Sequence, residues 1–511
     1  MTPSATDPER IPVVVASGQA IERDDLVSPV DLMERACVAA LADVPLLRDR
    51  IDRLTVVDIM TKTGPAPATE LAERLGLGPD VAREVTTVGG NTPQWLVNRA
   101  ASEIAGGGLA VTVIAGAEAI RSSRARRSQG LPRDVGRVDL APDRQVGDDL
   151  PGFGPAEMAA SLLAPVHVYP LFESVLASRA GNDADTHRRV LGRLMAPFTT
   201  VAASHPYAWF AEERTPEEIA TPSPDNRIVC EPYTKRMTAF LGSDQAAALV
   251  VCSLAEAERA GVADRAVFVW SGAEAVDVRF VASRPDPGRS PAIEAAGAAL
   301  FDSATAVAGR SVGIDDIDRM DIYSCFPSAV QMAADALGIA HDDPRGLTVT
   351  GGLPYFGGPG NNYTTHGIAT LCDLLRDTTG AGTHLGLATG LGWFVTKHAL
   401  GVYGSTPPPA GFRRADTSDA QAAIDRSAVE VAPSLDVAAP ATVVAATVWR
   451  DNDGTAAGAP VIARLADGRH MALAPAGDDV VAAMGQLDIP GVVGGTVVVE
   501  AGEPRYRLAE R

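Results

Sequence analysis

Apolar runs and amphipathic patterns alternate along most of the chain, and one order of them occurs twice. In the first occurrence a β-branched run closes in Ser17–Gly18, a helical pattern follows, and Ile51–Leu54 leads into another apolar run. In the second occurrence the matching marks are Ser271–Gly272 and Ile317–Met320. Two copies of a unit that alternates strands with helices predict a duplicated α/β fold, with largely parallel sheet covered by helices.

The segment that separates a strand pattern from a helix pattern in the second copy is rich in glycine. Its five glycines are Gly351, Gly352, Gly357, Gly358 and Gly360. Such crowding indicates turns with positive φ or a close approach of the backbone to another group. The first copy has a comparable loop, residues 86–94, before its own helix pattern. Because both loops follow the carboxyl ends of predicted strands, we expect a ligand site between the two copies.

Three other regions do not follow the repeat. Prolines, charges and short helical patterns in residues 124–240 predict an inserted loop domain. A stretch rich in Pro, Ala, Asp and Ser is typical of a linker, and the β-branched runs after it, separated by turn signals, predict a small all-β domain. The predicted domains are the first half at 1–123 and 241–262, the insertion at 124–240, the second half at 263–410, a linker at 411–430 and the all-β domain at 431–511.

Composition narrows the classes of function. The formal net charge of −20 argues against broad binding to nucleic acids or anionic membranes, because both need a basic surface. The polar N-terminus and the lack of a long apolar run predict a cytoplasmic protein with no membrane span. The cysteines are scattered without CxxC pairs, so neither a disulfide framework nor a metal site is expected. They are Cys37, Cys230, Cys252, Cys325 and Cys372.

The order of several short motifs resembles that of the thiolase superfamily, in particular the sterol-carrier-protein branch and the acetyl-CoA acetyltransferase-like proteins called thiolase-like type 1. The motifs are His205–Ala208, Gly242–Ala248, Tyr323–Phe326, Gly351–Leu353 and Gly390–Gly392. The resemblance covers roughly residues 11–404, and the all-β tail looks like the small OB-like domain of the type 1 proteins. It implies a fold of α-β-α-β-α layers that binds acyl-CoA through the loop domain. It also implies Claisen condensation or its reverse, with a thiolate nucleophile, a base for the α-carbon and oxyanion donors.

The chain departs from the family pattern at the nucleophile. In the loop that should present the attacking cysteine, Asn91 or Thr92 stands at the matching position. An unassisted hydroxyl is a much poorer nucleophile than a thiolate, so the acyl-enzyme step lacks its sulfur. The family's Gly-His-Pro sequence is replaced by Gly357–Pro359, which puts Gly358 where an imidazole is expected.

Two side chains are candidates for acid–base catalysis, Cys325 and His366. Cys325 matches the acid/base cysteine in the His-Asp-Cys-Phe motif of the sterol-carrier-protein branch, and its alternative role is that of a small buried hydrophobe. His366, at the head of the next helix, supplies an imidazole in place of the missing one, as oxyanion donor or base. Tyr323 stands where the family has Asn or His in the oxyanion hole, and Asn361 is a further expected pocket residue.

Basic residues indicate where the nucleotide of CoA would bind. Arg124, within the cluster Arg121–Arg127, and the adjacent pair Lys235 and Arg236 stand out in an acidic chain and suit phosphate groups. A solvated charged surface is the alternative interpretation of the first cluster. CoA or acyl-CoA is therefore the expected ligand, and no other cofactor and no metal are expected beside it.

Three hypotheses about function follow. The leading one is a thiolase-fold protein that binds CoA or acyl-CoA without ordinary thiolase turnover. The first alternative is an active acyltransferase of lipid or sterol side-chain metabolism that uses Cys325 and His366. The second is a non-catalytic subunit of an acyl-CoA-processing complex, in which the all-β tail docks a small acyl-CoA-handling partner protein. A homodimer, which is the family default, and a monomer are both open.

Overall fold

Two α/β halves, an insertion in the first of them and a C-terminal β-barrel make up the chain. The computed structural model describes residues 7–61, 63–378 and 382–509. Residues 1–6, Lys62, residues 379–381 and residues 510–511 lie outside this description, and so does most of the polar N-terminus on which the expected cytoplasmic location partly rests. Within the described ranges, no helix combines the length and the apolarity needed to cross a bilayer.

Before the insertion, the first half alternates strands with helices. Its elements are β1 (Pro12–Ile21), α1 (Pro29–Ala42), β2 (Arg53–Val56), α2 (Pro67–Arg74), β3 (Ala82–Thr86), α3 (Thr92–Gly106), β4 (Val111–Ala119) and α4 (Ile120–Ser128). Local sequence sets the helix ends: Ser28 forms a capping box with Asp31 at the start of α1. Gly107 ends α3 in the left-handed conformation that glycine adopts readily.

The insertion consists mainly of helices. Its elements are β5 (Arg144–Val146), α5 (Pro155–Ala159), α6 (Pro165–Arg179), α7 (Ala184–Ser204), α8 (Pro216–Ala220), β6 (Ile228–Cys230) and β7 (Tyr233–Thr234). A fully buried carboxylate, Glu173, links them to the second half. It accepts hydrogen bonds from His187 Nε2 (2.6 Å), the Tyr233 hydroxyl (2.6 Å) and Gln331 Nε2 (2.8 Å). Because these partners are buried too, the group forms an internal polar network.

The second half repeats the order of the first. After the insertion, β8 (Asp244–Ser253) and α9 (Leu254–Arg259) complete the first half, and β8 lies between β1 and β4 as expected from its apolar run. The second half contains β9 (Val267–Val276), α10 (Pro291–Ala308), β10 (Ile317–Asp321), α11 (Pro327–Leu337), α12 (Gly352–Tyr355), α13 (Tyr363–Arg376), β11 (Leu385–Gly392) and β12 (Lys397–Gly404). The pairing orders β2-β4-β8-β1 and β10-β11-β12-β9 match, which confirms the duplication.

Helices α3 and α13 form the central layer between the two halves. α3 packs against β11 and β12 of the second half, and α13 packs against β1 and β8 of the first as well as on β11. On the other side of each sheet, α1 packs on β1 and β8, and α10 packs on β9 and β12. The α-β-α-β-α arrangement is therefore confirmed, and it brings the loops before α3 and α13 together.

The sheet is mixed, so the expectation of a largely parallel sheet is wrong. β2 is parallel to β3 and β4, and β10 is parallel to β11, but β8 and β12 are antiparallel to both of their neighbours. β12 follows β11 after the short turn at residues 393–396, which leaves no room for the crossover that a parallel strand requires. β1 and β9 pair through Val13 and Val14, which joins the two half-sheets into one.

A short segment and a closed barrel follow the second half. The segment predicted as a linker carries β13 (Arg413–Arg414), which pairs with β9, and α14 (Ser418–Arg426). The last domain contains β14 (Ala439–Ala446), β15 (Trp449–Arg450), β16 (Ala456–Gly458), β17 (Val461–Arg464), β18 (His470–Pro475), α15 (Asp478–Met484), α16 (Ile489–Val492), β19 (Thr496–Val499) and β20 (Arg505–Leu508). Its closed barrel, in the order β14-β17-β18-β20-β19, confirms the predicted all-β domain.

The barrel domain shares a sheet with the insertion. β15 pairs with β6 through Trp449 and Cys230, within a four-stranded sheet of order β16-β15-β6-β7. The Trp449 ring also stacks on His167 of α6, with ring centroids 4.0 Å apart. The Cys230 thiol lies 2.8 Å from the Thr447 hydroxyl. The tail is thus fixed to the insertion by backbone pairing and by side chains.

Candidate functional site

The loop before α3 places Gly90 against the side chain of Tyr323. A Cβ atom at Gly90 would lie 2.3 Å from the Tyr323 hydroxyl oxygen and 2.5 Å from the Leu391 carbonyl oxygen, so this position admits only glycine. Sequence reasoning put Asn91 or Thr92 at the place of the missing nucleophile and did not single out Gly90. The available signal was the pair of adjacent glycines directly before a helix pattern.

Thr92 and Asn361 hold the two central loops in place. The Thr92 hydroxyl donates to the Gly89 carbonyl (2.7 Å), and the Gly89 N–H donates to Asn361 Oδ1 (3.0 Å). Asn361 Nδ2 donates in turn to the Asp58 carboxylate (3.0 Å). Both side chains therefore position the backbone beside Gly90. Asn91 is the N-cap residue of α3, but its side chain makes no capping hydrogen bond.

Cys325 lies among tyrosines at the start of α11. Burial raises the pKa of its thiol to about 12, although the neighbouring Tyr169 hydroxyl acts in the opposite direction. Burial also raises the pKa of Tyr323 well above its usual range, and the proximity of Cys325 adds to this rise. Both groups are therefore protonated at neutral pH. In this state Cys325 and Tyr323 can donate a proton or a hydrogen bond, but neither is an activated nucleophile.

Gly358 has no side chain, so only its backbone contacts the surrounding residues. Its N–H donates to the Phe240 carbonyl (2.8 Å). A Cβ atom at Gly358 would be 3.2 Å from that oxygen and 3.3 Å from the Leu241 side chain, which is tighter than most real contacts. The chain thus lacks the imidazole that the family resemblance leads one to expect, and the packing around Gly358 leaves little room for it.

His366 contacts Gln19 of β1. Its Nδ1 lies 2.7 Å from Gln19 Oε1, which assigns the proton to Nδ1, and its buried Nε2 has no partner among the described residues. Burial lowers the pKa of His366 to about 3, and the nearby His205 adds to this shift. A series of ring contacts links His366 to Tyr323 through Phe356 and Tyr363. The structure therefore does not bring the two predicted catalytic residues, Cys325 and His366, into contact.

The buried imidazole of His366 predicts a loss of stability in acid. Its folded pKa of about 3 lies below the unfolded value of about 6.5, so protonation favours the unfolded chain and stability falls as pH drops below 6.5. Linkage gives a loss of about 2 kcal/mol at pH 5 from this residue alone. We expect His366→Gln to reduce the fall by that amount in urea unfolding measured at pH 7 and pH 5. His341→Gln, which removes an exposed imidazole, is the control; an equal fall in His366→Gln and wild type would contradict the prediction.

A cavity of about 550 Å³ brings together the three basic residues expected to bind CoA, Arg124, Lys235 and Arg236. Arg214 also lines it, and sequence reasoning missed this residue because it stands alone among acidic neighbours in the chain. The volume lies within the range of roughly 300–1,000 Å³ that small-molecule sites occupy. Aromatic and apolar side chains, among them Phe210, form other parts of the wall.

Arg214 pairs with the Glu212 carboxylate (2.5 Å), whereas the other three basic residues of this cavity lack such an ion pair within the described ranges. Among the described residues, Arg124, Lys235 and Arg236 have no carboxylate oxygen within 4.0 Å, although Asp225 is part of the lining. A neighbouring cavity of about 410 Å³ shares Arg124 and adds further arginines of α4 and the loop after it. Together the two cavities form a basic surface on an acidic protein. Such a surface attracts phosphate groups.

One wall of the larger cavity leads to Cys325. The N–H of Ala239, a lining residue, donates to the Cys325 carbonyl (2.9 Å). The N–H of Phe240, the next residue of the wall, donates to the Leu353 carbonyl (3.1 Å). The segment 239–240 therefore lies between the basic cavity and the backbone of Cys325. In the part of the chain that the structure describes, no group of three His, Cys, Asp or Glu side chains is arranged to hold a metal ion.

A solved structure relates the whole chain to a known group of proteins. The monomeric SCP2-thiolase-like protein type 1 from Mycobacterium smegmatis is 30% identical to this chain, with a TM-score of 0.81, over 99% of this chain and 100% of that one. The chain belongs to the SCP2-thiolase-like proteins of type 1. The family membership predicted from the motif order is thus confirmed. The match to the solved structure also covers the barrel domain, because it extends over 99% of this SCP2-thiolase-like protein.

A second solved structure shares the fold. The Ltp2-ChsH2(DUF35) aldolase chain is 19% identical to this SCP2-thiolase-like protein, with a TM-score of 0.58, over 77% of this chain and 98% of that one. At this identity the likeness concerns the fold alone. No family model and no curated protein matches the sequence.

Proposed function

We propose that this SCP2-thiolase-like protein binds CoA or a CoA thioester in the basic cavity and lacks the turnover of an ordinary thiolase. The observation that carries the proposal is the contact between Gly90 and Tyr323 at the head of α3. The family resemblance implies an acyl-enzyme on a cysteine thiolate of this loop, at the neighbouring position of Asn91 or Thr92. Here a glycine faces a tyrosine hydroxyl whose pKa is raised by burial, so the hydroxyl can donate a hydrogen bond to a thioester oxygen but does not replace the thiolate.

Charge supports the choice of ligand. The chain carries a formal net charge of −20, yet Arg124, Lys235, Arg236 and Arg214 line one cavity. The phosphates of CoA suit arginine and lysine donors, and the pantetheine arm suits a long apolar wall. The segment Ala239–Phe240 would lead that arm toward Cys325.

Removal of two basic side chains is expected to weaken CoA binding. Charge-assisted hydrogen bonds contribute about 1.5–3 kcal/mol, so the double variant Lys235→Ala/Arg236→Ala should bind CoA about 10- to 100-fold more weakly in calorimetry. Pantetheine, which lacks the nucleotide phosphates, should bind wild type and variant alike. Arg505→Ala, in the barrel, is the control. Equal CoA affinity in the double variant would mean that the phosphates do not bind in this cavity. The absence of CoA binding to wild type would contradict the proposal that CoA is the ligand.

A thiolytic assay tests the catalytic half. With acetoacetyl-CoA and free CoA, we expect no cleavage above the uncatalysed rate, because no thiolate is available to take up the acyl group. Turnover at the rate of an ordinary thiolase would overturn this half and leave the binding half standing. The assay needs an active thiolase as a positive control under the same conditions.

A partner-dependent role is the second candidate. The solved relative of 19% identity is an aldolase whose name joins two components, Ltp2 and ChsH2. By analogy, this chain would act as one subunit of an acyl-CoA-processing complex. Affinity purification of the full chain from its native cells, followed by mass spectrometry, tests this role. Recovery of the chain alone would count against it. The other alternative, joint catalysis by Cys325 and His366, gains no support from their separate environments.

A further inference from the structure

A third, smaller cavity of about 210 Å³ opens at the N-terminus of α3. Its lining comes from the loop before α3, the residues after β5, the ends of β9 and β12, and α14. Asn91 and Thr92 line it, whereas Gly90, Tyr323, Cys325 and the basic residues Lys235 and Arg236 do not. The cavity is therefore separate from the proposed CoA site.

Three buried polar side chains in its lining have unused hydrogen-bonding capacity. Thr87 Oγ1 and Asn91 Oδ1 have no partner within the described part of the chain, although the two side chains are only 2% and 8% exposed. Lys397, which is 3% exposed, donates to the carbonyls of Val88 (2.6 Å) and Asp148 (3.2 Å), and this leaves one of its three N–H groups. Buried polar groups without partners cost about 1–3 kcal/mol each, so a ligand that satisfies them gains affinity.

Asn91 and Lys397 point toward the same small region. A Cβ atom at Gly89 would lie 2.4 Å from Asn91 Oδ1 and 3.2 Å from Lys397 Nζ. The 15-residue helix α3 begins here, where the Thr92 N–H donates to the Gly89 carbonyl (3.0 Å) and Pro93 has no N–H. An ammonium group and an amide therefore converge at this end of α3, and the ammonium group favours a negative charge.

The two carboxylates of the lining have cationic partners, and Asp58 and Asp149, outside the lining, lie close enough to act on Lys397 electrostatically. Glu274 accepts a hydrogen bond from Arg414 Nε (2.9 Å), and the Asp148 carboxylate accepts one from Arg279 (2.7 Å). Lys397 is thus left without a carboxylate partner within 4.0 Å among the described residues. Burial lowers the pKa of Lys397, and an anion beside the ammonium would offset the cost of that burial.

We propose that this cavity binds a short-chain aliphatic carboxylate of the size of propionate or butyrate. One carboxylate oxygen accepts from Lys397 Nζ. The other accepts from the Thr87 hydroxyl and from the Asn91 amide, whose oxygen and nitrogen ends exchange by a simple flip. The alkyl chain lies against Trp95 and Val276 of the lining. The volume of about 210 Å³ is below the roughly 300–1,000 Å³ of larger ligand sites, which restricts the ligand to a small acid.

Calorimetric titration of the full chain with butyrate tests the proposal. Wild type should show saturable binding, and Lys397→Met should bind butyrate at least about tenfold more weakly, because it loses a charge-assisted hydrogen bond. Butyramide, the neutral analogue, should bind wild type about as weakly as butyrate binds the variant. CoA affinity should be the same in both proteins. The absence of saturable butyrate binding to wild type would overturn the proposal.

A second variant keeps the test decisive if Lys397→Met fails to fold. Thr87→Val replaces an unpartnered hydroxyl by a methyl group of similar size, so the fold should be retained. The loss of one hydrogen bond to the charged carboxylate should weaken butyrate binding at least about tenfold. Circular dichroism verifies that each variant is folded. Wild-type butyrate affinity in a folded Lys397→Met or in Thr87→Val would overturn the proposal.

Discussion

A cysteine placed at Gly90 should destabilise the protein and should not create a thiolase. Its Cβ would lie 2.3 Å from the Tyr323 hydroxyl and 2.5 Å from the Leu391 carbonyl, and the second of these is backbone that cannot rotate away. Overpacking of this kind costs about 1–3 kcal/mol, and we expect Gly90→Cys to reach the upper end in urea unfolding. Thiolytic cleavage of acetoacetyl-CoA should be absent from the variant as well.

Two companion variants separate size from chemistry. Gly90→Ala introduces the same Cβ without a sulfur and should lose nearly as much stability as Gly90→Cys. Tyr323→Asn shortens the opposing side chain, so the double variant Gly90→Cys/Tyr323→Asn should recover at least about 1 kcal/mol relative to the sum of the single changes. If Gly90→Cys were as stable as wild type, Gly90 would not be confined by Tyr323, and the central observation behind the proposed function would be lost.

Loss of the Glu173 carboxylate should have the largest effect on stability. Glu173 is fully buried and accepts hydrogen bonds from His187, Tyr233 and Gln331. Glu173→Ala removes the common acceptor and leaves these buried donors without their partner. Removal of one member of such a network costs about 3–5 kcal/mol. Chemical unfolding followed by circular dichroism should report that loss.

Matched variants identify the cause of this effect. Glu173→Gln keeps the shape and one acceptor oxygen, so its loss should be smaller, at about 1–2 kcal/mol. Glu258→Ala, at an exposed position on α9, should change stability by less than about 0.5 kcal/mol. A loss in Glu173→Ala no larger than that of Glu258→Ala would mean that the network contributes nothing net.

The duplication could be predicted from the sequence because each copy carries a Ser-Gly pair on a strand that lies very close to a helix. A Cβ atom at Gly18 would lie 2.0 Å from the Ala36 carbonyl of α1, and one at Gly272 would lie 2.4 Å from the Asn98 side chain of α3. At both places a strand approaches a helix so closely that only glycine is accepted. These two glycines therefore indicate contacts between a strand and a helix. No residue pattern indicated the direction of the strands, and the prediction of parallel strands was wrong for β8 and β12.

The candidate site was harder to predict than the fold. Motif reasoning searches for a side chain with suitable chemistry, and Gly90 has none; its importance comes from Tyr323, which is distant in sequence. His366 was expected at the pocket because it stands near the start of α13. Helical geometry instead turns it toward β1, on the same face as Thr370, one turn later. Sequence could place His366 on the helix but could not tell which face meets the pocket.

The basic residues were predictable as a set because charge contrast does not depend on side-chain orientation. Lys235 and Arg236 are neighbours in sequence, and Arg124 joins them only through the fold. Their assignment to CoA phosphates stays a prediction until binding is measured. The same limit applies to the carboxylate cavity, whose members Thr87, Asn91 and Lys397 come from distant parts of the chain and form no motif.

The pairing of β6 with β15 has a consequence for synthesis on the ribosome. Cys230 meets Thr447 of the barrel domain 217 residues later in the chain, so the insertion cannot complete its sheet until almost the whole polypeptide has been made. At typical elongation rates this delay is about 10–40 s. During that interval one edge of β6 is unpaired. Nascent chains that stall or terminate before Trp449 keep this unpaired edge, which can pair with other chains. Premature termination should therefore yield aggregates and substrates for chaperones.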